Sequence, residues 1–152
     1  MTAPLVRSAA LDELDPRTLY AILALRAEVF VVEQACVYLD PDGRDLEASA
    51  RHLWIEADGE VLAYLRVLEE PDGCARIGRV CTAAARRGQG LSRQLMQAAL
   101  AAVEGRDSVL QAQAHLRDWY AGLGYVATGG QYLEDGIPHV DMRRPAPGYS
   151  RG

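Results

Sequence analysis

The chain has 152 residues, 49% of them hydrophobic and 24% charged, the size and composition of one folded domain and not of a disordered segment. A formal net charge of −5 argues against wholesale binding to nucleic acid, and no apolar stretch is long enough to span a membrane. Met1-Thr2-Ala3-Pro4 lacks the basic and apolar regions of a secretory signal. The three cysteines, Cys36, Cys74 and Cys81, show no C-x-x-C spacing, so free thiols in a reducing cytoplasm are expected.

In chain order, Leu5-Val6-Arg7 reads as an opening strand. Asp15-Pro16 then starts a helix, with Asp capping the free N–H groups and Pro tolerated at the first helical position. Leu19, Ile22, Leu23, Arg26, Val29 and Phe30 continue it at helical spacing. Two apolar runs, His52-Leu53-Trp54-Ile55-Glu56-Ala57 and Val61-Leu62-Ala63-Tyr64-Leu65-Arg66-Val67, flank Asp58-Gly59, which is a hairpin signature. Pro71-Asp72-Gly73 makes the next turn, and Arg76-Ile77-Gly78-Arg79-Val80-Cys81-Thr82 completes the meander. Leu91, Leu95, Met96, Ala99 and Val103 mark a second helix, closed by Gly105. A short strand at Ser108-Val109-Leu110-Gln111-Ala112 precedes a short helix from His115 to Leu123. Tyr125-Val126-Ala127 opens a last pair of strands that turns at Asp135-Gly136. The order β-α-β-β-β-α-β-α-β-β predicts an α/β domain with a mixed sheet between helices over residues 1–144. An irregular tail is expected over residues 145–152, which hold Pro145 and Pro147.

Charge is unevenly spread. Glu28, Glu33, Asp40, Asp42, Asp45 and Glu47 crowd one segment, and Arg76, Arg79, Arg86, Arg87 and Arg93 another. Such clusters are commonly solvated faces, but they also fit two sub-sites, one for an anionic ligand and one for a cationic ligand. Arg86-Arg87-Gly88-Gln89-Gly90-Leu91-Ser92 lies between a strand and a helix. A helix start offers free N–H groups and a positive dipole end, glycines let a ligand approach the backbone, and arginine adds charge-assisted hydrogen bonds, all suited to phosphate. The Walker pattern is absent, and the dinucleotide fingerprint fails because Arg93 stands where its third Gly belongs. Asp40-Pro41-Asp42-Gly43-Arg44-Asp45 does not fit a calcium loop either, since Gly43 is fourth and the twelfth residue is Arg51; no metal is expected.

Arg87-x-x-Gly90-x-Ser92 resembles the R/Q-x-x-G-x-G/A signature of the GNAT superfamily of N-acetyltransferases, with Ser92 in place of the usual Gly or Ala. The resemblance is to ElaA-like members and is collinear along the chain. It takes in Val29-Phe30-Val31-Val32-Glu33-Gln34, Cys36, Tyr38 and Asp42-Gly43-Arg44-Asp45. It continues through Ala63-Tyr64-Leu65-Arg66, Ile77-Gly78-Arg79-Val80, Gln113-Ala114-His115-Leu116, Trp119-Tyr120-x-x-x-Gly124-Tyr125 and the stretch from Tyr132 to His139. It implies the GNAT acyl-CoA N-acyltransferase fold: a mixed, mostly antiparallel sheet with a parallel splayed strand pair, flanked by helices. It further implies acetyl-coenzyme A as co-substrate, its pyrophosphate on Arg87, Gly88, Gln89, Gly90, Leu91 and Ser92. The pantetheine arm is then expected along Val80, Cys81 and Thr82.

By the same resemblance Tyr120 is the tyrosine that protonates the departing thiolate, chemistry within reach of a phenol. The proton acceptor for the amine is not marked by any motif. Glu33, His52 and His139 are candidates, as is a base acting through water, and Glu33 is favoured for its place beside the acidic segment. The expected reaction is direct transfer of an acetyl group to an amine in a ternary complex, the acidic residues favouring a cationic acceptor. A non-catalytic acyl-coenzyme A binding module is the alternative, and a homodimer is compatible with either. No nucleic acid or membrane partner is expected.

Overall fold

The computed structural model describes residues 3–146. Eight strands form one sheet: β1 (Leu5–Ala9), β2 (Arg51–Ala57), β3 (Glu60–Glu69), β4 (Ala75–Thr82), β5 (Ser108–Gln113), β6 (Val126–Ala127), β7 (Tyr132–Glu134) and β8 (Ile137–Arg144). Three α-helices join them: α1 (Pro16–Arg26), α2 (Leu91–Ala102) and α3 (Arg117–Ala121). The strand order is β1-β2-β3-β4-β5-β8-β6, with β7 pairing β8. Every pairing is antiparallel except β4 with β5, which is parallel. The expected mixed sheet is therefore present, and its final part is two short strands and the eight-residue β8 where the sequence suggested two strands.

Local chemistry explains most of the elements. Asp15 caps α1 by accepting from the Thr18 N–H at 2.8 Å, and Pro16 opens the helix. Both two-residue hairpins use Asp-Gly with positive φ at each position, as a type I′ turn requires: Asp58 and Gly59 at 52° and 79°, Asp135 and Gly136 at 50° and 77°. β3 is buried along nearly its whole length because helices cover both faces of the sheet. On one face Leu53, Ile55, Ala63 and Leu65 pack with Leu95, Met96 and Ala99 of α2. On the other, Trp54 and Tyr64 pack with Ile22 and Leu25 of α1.

Three departures from the sequence reading matter for the site. The first helix changes to π geometry at Ala27–Glu33, which carries the chain toward the cleft described below. β4 is bulged: Tyr64 pairs with Cys81 but Arg66 with Gly78, so one extra residue stands opposite Leu65, and Arg79 takes a φ of +54°. The short helix after β5 begins as a 3-10 turn at Ala114–Leu116 and becomes α only from Arg117. The tail expected from residue 145 is without regular structure at Pro145 and Ala146; residues 147–152 lie outside the described residues.

Residues 34–50, almost without regular structure, are held by a buried ionic network. Arg26, 1% exposed, donates from Nε to Asp40 at 2.8 Å and from Nη1 and Nη2 to Asp45 at 2.8 and 3.1 Å, and lies over the Tyr64 ring. Arg66, also buried, reaches Asp42 and Asp45, while Arg79 pairs with Asp40. His52 is sealed beside them. A carbonyl only accepts, so His52 Nε2 donates to Asp45 O at 3.3 Å, and Nδ1 accepts from the Tyr64 hydroxyl at 2.6 Å. Arg26→Met should therefore leave two interior carboxylates short of a partner and cost about 3–5 kcal/mol. A denaturant titration checks this, and unchanged stability would show that Arg66 and Arg79 suffice.

Candidate active site

β4 and β5 pair only through Ala75↔Ser108 and Arg76↔Val109, and then separate. From Ile77 to Thr82 the β5-facing edge of β4 has no strand beside it, and a cavity of about 1070 Å³ opens there. One wall is Val80, Cys81 and Thr82 with the loop that follows; the other is Gln111 and Gln113 of β5 with Trp119 and Tyr120 of α3. Phe30 and Glu33 from the π segment and Ile137 and His139 from β8 close its flanks. Cys81 turns its side chain into the α1 face of the core, where burial pushes the thiol up to about 12; it presents backbone, not a nucleophile, to the cleft.

The glycine loop sits at the cleft as its composition predicts. Gly88 and Gly90 have φ of +80° and +74°, and an added Cβ at either would meet open space, so the need for glycine is conformational and leaves the backbone approachable. Gly90 caps α2, whose first helical bond runs from Gln94 N–H to Gly90 O. Among the described residues, no group accepts from the backbone N–H groups of Leu91, Ser92 and Arg93, which are the orphan donors of a helix start and a ready seat for an anion. Ser92 replaces the usual smaller residue by turning its hydroxyl to Thr82 Oγ1 at 2.6 Å, joining the end of β4 to the first turn of α2. Gly88, Gly90, Leu91 and Ser92 line the cavity together with Arg86, Arg87 and Arg93; Gln89 does not.

Tyr120 is 6% exposed, its ring edge-on to Trp119 and Tyr125 with centroids 4.9 and 6.0 Å away. Among the described residues none hydrogen-bonds its hydroxyl, which is not sealed in, and Tyr120 lines the cleft. Burial raises the phenol above its ordinary range, so it is protonated at neutral pH and available as a donor.

Glu33 is placed differently from its expected role. Its carboxylate takes both terminal nitrogens of Arg87, Nη2 at 2.7 Å. That guanidinium holds the Glu33 carboxyl below the usual range, the opposite of what a neutral-pH base needs. Asp40, Asp42 and Asp45 are likewise engaged by Arg26, Arg66 and Arg79, and Glu47 by Arg44. Five of the six carboxylates on which the expectation of a cationic acceptor rested are thereby taken up. Among the described residues no cluster of three His, Cys, Asp or Glu is fit to hold a metal ion. Gln111 and Gln113 are cavity residues that sequence reasoning left out of the site; Arg93, counted in the basic cluster, and His139, one of the base candidates, line it as well.

A mixed sheet with one parallel pair parting beside a glycine-rich helix start is the architecture of an acyl-CoA N-acyltransferase. The chain belongs to the family described as "Acetyltransferase (GNAT) domain", which matches residues 26–145. It is 53% identical over 152 residues to a UPF0039 protein of Mycobacterium tuberculosis, covering 97% of each chain. The crystal structure of an acyl-CoA N-acyltransferase from Pseudomonas aeruginosa superposes with a TM-score of 0.89 at 46% identity, over 93% of this chain and 99% of that one. Escherichia coli ElaA gives 0.88 at 38% identity, with the same coverage. Acyl transfer is thus the class of chemistry to which the cleft belongs, as the resemblance anticipated.

The Glu33–Arg87 pair sets a testable competition. An exposed ion pair of this kind is worth about 0.2–1 kcal/mol. Glu33→Gln should free Arg87 for a phosphate and tighten coenzyme A binding by up to about fivefold. Calorimetric titration checks it, and weaker binding would show that the carboxylate orients Arg87 productively.

Proposed function

We propose that the protein is an N-acetyltransferase that moves an acetyl group from acetyl-coenzyme A directly to an amine, both substrates being held in the cleft at once. The observation that carries this reading is the accessible hydroxyl of the buried Tyr120 on the wall facing the unpaired edge of β4. The pyrophosphate would lie on the N–H groups of Gly88, Gln89, Gly90, Leu91 and Ser92 with Arg87 beside it. The pantetheine amides would pair with the backbone of Val80, Cys81 and Thr82. Bound so, the co-substrate supplies an activated thioester. The chain's own residues position it, exclude water with Trp119 and Leu116, and move protons. Tyr120 donates to sulfur as the thiolate leaves. Glu33 we assign to Arg87, not to proton transfer. Two features of the described residues are consistent with a cytoplasmic setting: three free cysteines, and no helix long and apolar enough to cross a membrane.

The reading is tested by following coenzyme A release from acetyl-coenzyme A across a panel of primary amines. Release that depends on an amine supports it. Tight co-substrate binding without release from any amine would leave a binding module instead.

Tyr120→Phe should separate binding from chemistry. The ring contacts survive, so thermal stability and coenzyme A affinity should stay within a few-fold. Single-turnover transfer should fall about 10²–10⁴-fold, the usual worth of general acid help. Transfer at the wild-type rate would make Tyr120 a packing residue only.

A further inference from the structure

The three proton-acceptor candidates of the sequence are sorted by their surroundings; His115, Glu134 and Asp135 also line the cavity, but as exposed side chains. Glu33 is bound by Arg87. His52 is 1% exposed, has both ring nitrogens committed, and does not line the cavity. His139 lines the cavity, half-buried on β8. Its Nδ1 lies 2.7 Å from Ile137 O. A carbonyl oxygen only accepts, so Nδ1 carries the proton, and the neutral ring must hold its lone pair on Nε2. Among the described residues no group bonds Nε2, and that atom is not sealed from solvent. The Tyr132 ring stacks on the imidazole with centroids 6.1 Å apart, and Tyr132 is itself tied to Asp141 at 2.7 Å, so the ring is held from its face as well as from its edge.

We infer that His139 is the general base of the transfer, accepting the acceptor amine's proton on Nε2. This rests on the transferase reading above. His139 pairs in register with Gln113, whose strand leads directly into the turn and helix that carry Tyr120, so base and acid occupy the same wall. The bookkeeping of the step closes. The amine nitrogen forms a bond to the acetyl carbonyl carbon and the carbon–sulfur bond breaks, its electron pair leaving on sulfur. The amine's proton passes to His139 Nε2, and the Tyr120 hydroxyl gives its proton to the departing thiolate. His139 then releases its proton to solvent and Tyr120 recovers one, which restores both groups. The titratable and charged groups near His139 are the stacked Tyr132, tied to Asp141 of His139's own strand, and the cavity-lining Glu134, Asp135, Arg76 and exposed His115; Gln111 and Gln113 on β5 are neutral.

His139→Asn is the informative variant, because its amide nitrogen can still donate to Ile137 O while nothing replaces Nε2. With the full-length protein, acetyl-coenzyme A and glycinamide as acceptor, single-turnover transfer should fall about 10²–10⁴-fold, with coenzyme A affinity unchanged. Imidazole should restore part of the rate in His139→Gly. Nitrogen-15 NMR of the ring provides a readout free of turnover: in the neutral ring Nδ1 should carry the proton and Nε2 the lone pair. A neutral ring protonated on Nε2, or a variant that transfers at the wild-type rate, overturns the assignment. A wild-type protein that binds acetyl-coenzyme A and acetylates no amine overturns the transferase reading instead, and is distinguished by its failure before any substitution at His139.

Discussion

The constraint on which the molecule turns is that β4 and β5 hold together for two residue pairs and no further. Each strand is secured on its other edge, β4 by β3 and β5 by β8, so the sheet survives the gap. The backbone N–H and C=O groups of β4 from Ile77 to Thr82 that face β5 are then left without a strand, an arrangement costly in an interior but suited to a ligand that brings amides of its own. The bulge at Arg79 lies within this stretch, and its extra residue adds twist where the strands diverge. Everything that makes the cleft chemical hangs from the two parted ends: the glycine loop and α2 follow β4, and α3 with Tyr120 follows β5.

The buried ionic network answers a different problem. Residues 34–50 must form the flank of a cleft with few strands or helices of their own, and interior backbone without regular pairing needs other anchors. Arg26 and Arg66 supply them, each reaching carboxylates from this segment while fixed on α1 and β3. Buried ion pairs contribute little net stability compared with apolar packing, yet removing one partner is severe. That asymmetry suits a segment whose conformation must be unique more than it must be stable. Asp40, Asp42, Asp45 and Glu47 of the acidic cluster are therefore structural support, whereas Glu33 pairs with Arg87 of the loop.

Legibility followed the range of the interactions. Asp15 with Pro16, the two Asp-Gly hairpins and the periodic apolar face of α2 are each decided within a few residues, and each appears where local chemistry puts it. The loop at Arg87 was readable because glycine, charge and a following helix are all local signals. The π turn at Ala27–Glu33 and the bulge at Arg79 left no local mark. Glu33 meets Arg87 54 residues away, and Arg26 meets Asp45 19 residues away. No periodicity predicts which of several arginines takes which of several carboxylates. Hence the acidic segment read from sequence as either a solvated face or a cationic sub-site, and His139 read as one histidine among three until its neighbours were known.

The two strand pairs that remain also tune the chemistry of the far wall. Ser108 stands in the first of them, opposite Ala75, and is 1% exposed. Its hydroxyl lies 2.6 Å from the Tyr125 hydroxyl, and the Tyr125 ring meets Tyr120 edge-on. The point where the sheet stops being continuous is thus linked through two side chains to the phenol of Tyr120. In the function proposed above, the phosphate-binding groups stand on the β4 side of the parting and both proton-moving groups on the β5–β8 side. The reacting carbon must lie between them, so the angle at which the strands diverge sets how far acid and base stand from it. An edge-on aromatic contact worth about 0.5–1.5 kcal/mol would not hold a loose side chain by itself. Against a ring already fixed by Ser108 it suffices to favour one orientation of Tyr120, which is how, under the proposed function, a sheet defect becomes a catalytic geometry.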